Sequence, residues 1–380
     1  MSIEQFICKL PKCEQHVHLE GTLTPSLRYS CALRNKVLIP GISSLDQLES
    51  GRYPSNYDYE EGQDGSDYLR EFLANYYAAM DVLITEQDFF DLATEYFEKA
   101  RSMNVKYAEI FFDPQAHTSR GISFDVVMNG LIKARDVEHK RSDGVRVQYI
   151  LCFLRDISAE SAAETLQLGL KYKDQIIAVG LDSDERGHPP QKFEQVFIDA
   201  RKAGFRITAH CDVDQEDTHN NIDYVATKLG GPRSDAPDMA KSYVDGDIIP
   251  AYPAGADRID HGLNAADLPE LLTTIKNANL GLTLCPMGYS KHLGPERVFS
   301  KLDTLWKAGI PITLNSDDPA YMCRWKQQVV VDVQKHTGWT LHEIAQVERN
   351  AISMAWTDLE FKTKFRKEIE EVLNEFAGSS

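Results

Sequence analysis

Short apolar runs recur along the chain, each followed by a polar turn and then by a longer stretch in which apolar residues have helical spacing. This alternation predicts parallel strands that are joined by helical crossovers. The predicted strands cover residues 13–18, 105–113, 145–154, 176–182, 206–210, 257–261, 281–286 and 311–317. Eight parallel strands are the number that closes a barrel, so the pattern predicts an α/β fold of the (β/α)8 TIM type.

Several segments extend the predicted barrel. The connection after the first strand is too long for a single crossover, and its stretches 67–83 and 86–104 have helical spacing. Residues 43–65 are polar and rich in aromatic side chains, which favours a lid over the active face, with an idle surface excursion as the alternative. A second insertion covers 229–256, and a charged outer helix is expected at 361–376. We expect the whole chain to form a single barrel domain.

Composition and charge restrict the function further. The 380 residues are 42% hydrophobic and carry 58 acidic against 41 basic side chains, a formal net charge of −17. Phosphate backbones and anionic membranes need a basic surface, so we expect a small-molecule substrate and neither nucleic acid nor membrane as a partner. The sequence shows no signal-like apolar core, and its seven cysteines form no CxxC pair. We therefore expect a cytoplasmic location, with the nucleus also open, whereas the oligomeric state cannot be read from the sequence.

Polar residues gather where predicted strands end. His16 and His18 end the first strand, and side chains two apart on a strand point to the same side. His210, His261 and Asp317 end strands five, six and eight, at the face where a barrel builds its active site. A divalent cation would offset the desolvation of such groups, and three imidazoles with one carboxylate suit zinc better than iron or manganese. The alternative is a set of unrelated hydrogen-bonded core residues.

The order of these motifs resembles a known family. The motifs are His-Val-His-Leu-Glu-Gly at 16–21, a strand-five histidine at 210, Asp-His-Gly at 260–262 and Ser-Asp-Asp-Pro at 316–319. Together they are similar to the adenosine/adenine deaminase family of the metal-dependent amidohydrolase superfamily. Segments 10–14, 111–121, 180–183 and 315–321 look closer to the adenine deaminase branch than to the nucleoside deaminases.

The resemblance implies a role for each metal-site residue. His16, His18, His210 and Asp317 would ligate one zinc ion per chain and leave an open position for water. Zinc lowers the pKa of bound water towards about 7, so hydroxide is available at neutral pH. His261 would orient this hydroxide, and Asp317 would also accept its proton.

The resemblance also implies substrate contacts. Asp318 would meet a ring nitrogen, and Ser183 and Glu20 lie where the adenine branch contacts the base. The implied reaction is the deamination of adenine or an N6-substituted adenine by attack of metal-bound hydroxide.

One departure from the family affects catalysis. The family follows its strand-five histidine with Ala-Gly-Glu, and the glutamate protonates the purine ring, but here that position is Val213. Valine cannot donate a proton. Asp212, Asp214 or Glu216 could take over this role, and we assign Asp214 and Glu216 as candidate catalytic acids. Alternatively, the substrate needs no ring protonation, as for a small cyclic amide, lactam or ester, or the protein binds metal and ligand with little activity.

A second departure affects the pocket wall. The family usually reads Cys-Pro-x-Ser-Asn after strand seven, whereas residues 285–290 read Cys-Pro-Met-Gly-Tyr-Ser. Tyr289 is therefore a candidate substrate contact, with outward packing over a neighbouring loop as the alternative.

Overall fold

The structure is a computed structural model that describes residues 2–50, 68–212, 219–232, 242–244, 247–249 and 254–377. Its strands are β1 Lys12–His18, β2 Val105–Phe112, β3 Arg146–Leu154, β4 Ile176–Asp182, β5 Arg206–Ile207, β6 His210–Cys211, β7 Ser242–Val244, β8 Asp247–Ile249, β9 Ile259–His261, β10 Leu282–Leu284 and β11 Ile312–Leu314. All of these strands pair in parallel except β7 and β8, which pair with each other in antiparallel fashion.

The strands close into a ring. Five of them follow the order β1-β2-β3-β4-β5, and four follow the order β11-β10-β9-β6. At one seam the amide of Asp317 donates to the carbonyl of His16, and the amide of His18 donates to the carbonyl of Asp317. At the other seam β5 pairs with β4 while β6, two residues further along the same strand, pairs with β9. The fold is therefore the predicted TIM-type α/β barrel.

Helices surround the ring. They are α1 Ile3–Lys9, α2 Pro25–Asn35, α3 Leu45–Ser50, α4 Tyr68–Ala79, α5 Glu86–Ser102, α6 Pro114–Thr118, α7 Phe124–Glu138, α8 Ala159–Leu170, α9 Glu194–Lys202, α10 His219–Thr227, α11 Pro269–Asn277, α12 Pro286–Leu293, α13 Pro295–Lys307, α14 Pro319–Met322, α15 Lys326–Thr337, α16 Leu341–Met354 and α17 Leu359–Ala377. Short 3-10 helices cover Glu20–Thr22, Met80–Val82, Pro190–Phe193 and Leu263–Asp267. Several of the α-helices begin after a Ser or Thr whose side chain accepts a hydrogen bond from a first-turn amide, as at Thr24, Thr85 and Ser158.

The predicted boundaries differ from the observed ones in two ways. The strand predicted over 206–210 is broken at Thr208 and Ala209, because it passes from pairing with β4 to pairing with β9 at this point. The strand predicted over 311–317 ends at Leu314, and the backbone beyond it forms a single bridge to Val17.

The predicted additions are described in part. The two helices expected after the first strand correspond to α4 with its 3-10 continuation and to α5, and the outer helix corresponds to α17. Most of the predicted lid, from residue 51 onwards, lies outside the described residues, so the lid remains a prediction. Within the second insertion the structure describes the β7–β8 pair. In the parts of the chain that the structure describes, no helix is both long and apolar enough to cross a membrane.

Candidate active site

Four strand ends turn sharply as they leave the barrel. Ser183, Asp212, His261 and Asp317 follow or end β4, β6, β9 and β11, and their φ angles are 74°, 69°, 63° and 64°. Residues other than glycine rarely adopt this left-handed conformation, and it is concentrated at functional sites when it occurs. All four residues line one pocket or contact a residue that does.

Histidines from three strands meet at the mouth of the barrel. His16, His210, His261 and Asp317 offer ligand atoms that lie within 4.8 Å of one another. His18 joins them, since its Nε2 is 3.0 Å from Nε2 of His210 and 3.5 Å from Oδ1 of Asp317. All five side chains are buried. The five predicted residues are thus brought together at one point.

The environment of His16 commits its Nδ1 to one hydrogen bond. Burial alone would raise the pKa of Asp260, but the neighbouring Arg258 and hydrogen bonds from Thr208 and Thr283 hold that pKa below its usual range. The ionised carboxylate can only accept, so the Thr283 hydroxyl donates to Asp260 Oδ1 at 2.9 Å. Thr283 Oγ1 must then accept the Nδ1 proton of His16, which lies 3.0 Å away. Nε2 of His16 is therefore the ring nitrogen that remains for a metal ion.

Nε2 of His16 faces a negative charge. It lies 3.2 Å from Oδ1 of Asp317. Burial would raise the pKa of Asp317, but the surrounding histidines hold it well below its usual range, so the carboxylate is ionised. Nε2 of His16 is buried and has no hydrogen-bond partner among the described residues, and a metal ion held by this nitrogen and the carboxylate would satisfy both. The donor set therefore fits a divalent metal ion.

The other three imidazoles are neutral. Burial lowers the pKa of His18 to about 4 and that of His261 to about 3, and it lowers the pKa of His210 well below the usual value. Metal ions bind the neutral form of imidazole. In the neutral pH range, protons therefore do not compete with a metal ion for these three rings.

A second group of acidic residues adjoins the first. Asp113, Asp182 and Asp318 line the same pocket, and Oδ2 of Asp182 lies 3.5 Å from Nδ1 of His18. Burial raises the pKa of Asp182 to about 7 and raises the pKa values of Asp113 and Asp318 well above normal. These carboxyl groups retain protons that carboxyl groups at the surface would lose, so they can donate as well as accept hydrogen bonds.

Glu20 lies behind this acidic group. Its Oε1 accepts hydrogen bonds from Nε2 of His117 at 2.8 Å and from the Asp113 amide at 3.2 Å. His117 can donate from Nε2 because its Nδ1 accepts from Arg120 at 2.9 Å. Glu20 is fully buried and is not among the residues that line the pocket.

Glycine is required at position 21, where the chain passes Asp318. A Cβ atom at Gly21 would come within 2.1 Å of Oδ1 and 2.7 Å of Cα of Asp318. The last residue of the 16–21 motif therefore allows the 3-10 helix Glu20–Thr22 and Asp318 to approach each other.

Part of the pocket lining is apolar. Helix α4 contributes Leu69, Phe72, Leu73, Tyr76 and Tyr77, and α14 contributes Met322. Tyr77 also donates a hydrogen bond to Oγ of Ser183 at 2.8 Å. A ligand in the pocket therefore meets both polar groups and aromatic and aliphatic groups.

Comparisons with known proteins agree with these features. The family model described as "Adenosine deaminase" matches residues 11–218 and 252–372. The chain belongs to the adenosine deaminase family.

An uncharacterized deaminase from Schizosaccharomyces pombe is 39% identical over 378 residues, which are 99% of this chain and 98% of that protein. An adenine deaminase from Vibrio parahaemolyticus is 36% identical over 96% of this chain and 97% of its own. The crystal structure of an adenine deaminase from Arthrobacter aurescens superposes with a TM-score of 0.81 at 30% identity, covering 96% of this chain and 99% of that one. As a member of this family, the chain is a hydrolytic deaminase.

The segment that contains the second departure contacts the end of the strand-five motif at Asp212. Tyr289, from the motif after strand seven, donates a hydrogen bond to Oδ1 of Asp212, from the motif after strand five, at 2.5 Å. The Tyr289 ring also contacts His261 edge-on, with centroids 5.4 Å apart. The amides of Gly262 and Asn264 donate to the same carboxyl group. Tyr289 is thus buried in the pocket wall and does not pack outward.

The remaining predicted residues are placed as follows. Ser183, Asp318 and Tyr289 line the pocket, whereas Val213, Asp214 and Glu216 lie outside the described residues. Three residues of the site, Asp113, Asp182 and Thr283, were given no role on the basis of the sequence. Asp113 and Asp182 end predicted strands, which is a signal that could have identified them, but nothing in the sequence marks Thr283 as a partner of His16.

Proposed function

We propose that this deaminase hydrolyses adenine or N6-substituted adenines with one zinc ion. The observation that carries the proposal is the buried Nε2 of His16, which has no hydrogen-bond partner among the described residues and lies 3.2 Å from Oδ1 of Asp317, in a pocket that is also lined by carboxyl groups with raised pKa values.

We assign the metal to His16, His18, His210 and Asp317. Three imidazole nitrogens and one carboxylate oxygen with an open position form the ligand set of a catalytic zinc ion. When bound, such an ion activates a water molecule at neutral pH.

Two groups handle the proton of that water. Oδ1 of Asp317 faces His16 and His18, whereas its Oδ2 faces Nε2 of His261 at 3.9 Å. His261 hydrogen-bonds and orients the water, and Oδ2 accepts its proton and passes it to the leaving amine. Because burial lowers the pKa of His261, the ring is neutral and does not repel the metal ion.

The polar wall suits a planar base. Asp318, Asp182 and Ser183 present carboxyl and hydroxyl groups that can pair with ring nitrogens, which are both donors and acceptors in a purine. Glu20 supports this wall from behind through the Asp113 amide.

The charge of the pocket favours a free base over a nucleotide. Among the described residues that line it, the one cationic side chain is Arg155. Its Nη1 donates to the His210 carbonyl at 2.8 Å, its Nε donates to the His188 carbonyl at 2.8 Å, and Glu185 lies 3.5 Å from its Nη2. A phosphate group would find no available cation here and several carboxyl groups instead.

The ring nitrogen of the substrate must also receive a proton from an acid. We propose that Asp214 or Glu216 supplies it in place of the family glutamate. The favoured alternative is a small cyclic amide, lactam or ester that needs no ring protonation, and Val213 is the observation in its favour.

Turnover of adenine, adenosine and N6-methyladenine by zinc-loaded protein tests the proposal, with release of ammonia or methylamine as the readout. We expect the two bases to react and adenosine to react more slowly. Asp214→Asn and Glu216→Gln should identify the acid through a loss of about 10²- to 10⁴-fold in kcat with bound zinc retained. Stoichiometric zinc without turnover of any purine would refute the proposed substrate.

A further inference from the structure

Helix α12 brings a glycine against the catalytic carboxylate. Gly288 lines the pocket, and a Cβ atom at this position would lie 3.4 Å from Oδ2 of Asp317, with no other heavy atom of the described residues outside its own helix turn and chain neighbours within 4 Å. The family motif has serine where this chain has Gly288. The side chain that is missing here leaves a space directly beside Oδ2.

Oδ2 is the oxygen that faces the leaving group. Oδ1 of Asp317 is turned towards His16 and His18, at 3.2 and 3.5 Å, and is committed to the metal side. In the proposed reaction, water adds to the ring carbon, the proton taken up by Oδ2 moves to the exocyclic nitrogen, and the carbon–nitrogen bond breaks to release an amine. The exocyclic nitrogen therefore lies near Oδ2, and any group that it carries must occupy the neighbouring space.

We propose that Gly288 is a specificity-determining residue that admits an alkyl substituent on the leaving nitrogen. The preferred substrates are then secondary amines of the N6-alkyladenine class, which yield hypoxanthine and an alkylamine. This inference rests on the proposed purine deamination and adds to it the choice of leaving group.

The lining of the pocket indicates an apolar substituent. The carboxyl groups of Asp113, Asp182 and Asp318 form the polar side, which the ring nitrogens occupy. The same pocket is also lined by aromatic and aliphatic side chains of α4, including Phe72 and Leu73. An apolar substituent on the leaving nitrogen is stabilised where it is buried against such side chains.

The test compares Gly288→Ala with the wild type. Gly288 lies inside a helix, and the added methyl group has room in the free protein, so the variant should fold with equal or greater stability. Ser290→Ala is the matched control, because its hydroxyl bonds back to the Pro286 carbonyl of the same helix and does not line the pocket. The measurements are kcat/KM for N6-methyladenine and for adenine, and the inhibition constant of hypoxanthine, which both substrates yield.

We expect Gly288→Ala to lower the ratio of kcat/KM for N6-methyladenine over adenine by about tenfold or more, a size typical of steric discrimination in a pocket. The inhibition constant of hypoxanthine should stay within about twofold, and Ser290→Ala should leave the ratio unchanged. An unchanged ratio in Gly288→Ala would overturn the inference. Wild-type turnover of adenine without turnover of N6-methyladenine would overturn it while leaving the proposed deamination intact, and turnover of neither would overturn both.

Discussion

Two buried clusters of titratable groups adjoin strand β1, and they differ in how their charges are balanced. Behind the strand, Lys12, Glu14, Lys326 and Glu348 are all fully buried. Lys326 pairs with Glu348 at 3.0 Å, the Cys13 amide donates to Glu348, and Tyr96 and Ser316 donate to Glu14. Lys12 donates to the carbonyls of Leu10 and Met103 at 2.8 Å each. In this cluster, each of the four side chains has a hydrogen-bond or ion-pair partner within the protein.

At the barrel mouth the polar groups are not all satisfied. Nε2 of His16 and the carboxyl oxygens of Asp182 are buried and have no hydrogen-bond partner among the described residues. A buried polar group without a partner costs free energy, so such an arrangement persists when something else supplies the partner. The comparison separates a structural cluster, in which the polar groups are satisfied, from a functional cluster, which a bound cation would complete.

Removing the carboxylate of the functional cluster should have the largest effect. In Asp317→Asn the amide keeps the shape but loses the charge and the ability to accept the proton, so we expect turnover to fall by about 10³-fold or more. The metal content should fall with it, as measured by elemental analysis after dialysis.

Asp303→Asn is the matched control for this change, because Asp303 forms an exposed i,i+4 pair with Lys307 on α13. It should leave metal content and turnover unchanged. Full zinc occupancy with full activity in Asp317→Asn would contradict the assignment of Asp317.

Breaking the structural cluster should affect stability instead. Lys326→Met leaves Glu348 buried without its cation, and we expect the free energy of unfolding to fall by about 3–5 kcal/mol. Denaturant titration gives this value, and Lys307→Met, which removes an exposed cation, should change it by less than about 1 kcal/mol. Loss of zinc affinity in Lys326→Met under conditions where it stays folded would show that the two clusters are not independent.

Removing the hydrogen bond that orients His16 should have a smaller effect. Thr283→Val removes the acceptor of the His16 Nδ1 proton, and hydrogen bonds that orient a metal-binding histidine are worth about 10- to 100-fold in metal affinity. Thr208→Val is a close control, because Thr208 also donates to Asp260 but has no bond to a histidine. Equal zinc affinities of the two variants, measured by calorimetry, would remove the proposed role of Thr283.

The smallest expected effect is that of pH on metal binding. The pKa values of His18, at about 4, and His261, at about 3, lie below the usual value because burial disfavours the charged form. A lowered pKa means that these imidazoles stay neutral above about pH 5, so protons do not compete with the metal there. Zinc affinity from equilibrium dialysis should fall by less than about threefold between pH 7 and 5.5, whereas exposed histidines with a pKa near 6.5 would lose at least tenfold per ligand pair. A steep fall over this range would contradict the burial argument.

The sequence was most informative where a regular pattern of apolar and polar residues marks the strands and their ends. The alternation of apolar runs predicted the barrel, and the positions of His16, His210 and Asp317 at strand ends predicted that they would meet. Residues whose role depends on a contact far along the chain were not predictable. Thr283 acquires its role through His16 and Asp260, and the bond between Tyr289 and Asp212 joins two loops that only the fold brings together.

The backbone conformation at the strand ends could not be predicted from the sequence either. Ser183, Asp212 and Asp317 are not glycines, and no local pattern indicates that their φ angles are positive. These turns direct the side chains inward, so the details of the pocket depend on information that periodicity does not carry.

The most direct test is anomalous diffraction at the zinc edge from crystals of zinc-loaded protein. Among the described residues, two groups can hold a metal ion: His16, His210 and His261 with Asp317, and His18 with Asp113 and Asp182. We predict a single peak at about 2.0–2.1 Å from the Nε2 atoms of His16, His18 and His210 and close to Oδ1 of Asp317. A peak between Asp113 and Asp182, or no peak in the barrel mouth, would contradict this assignment.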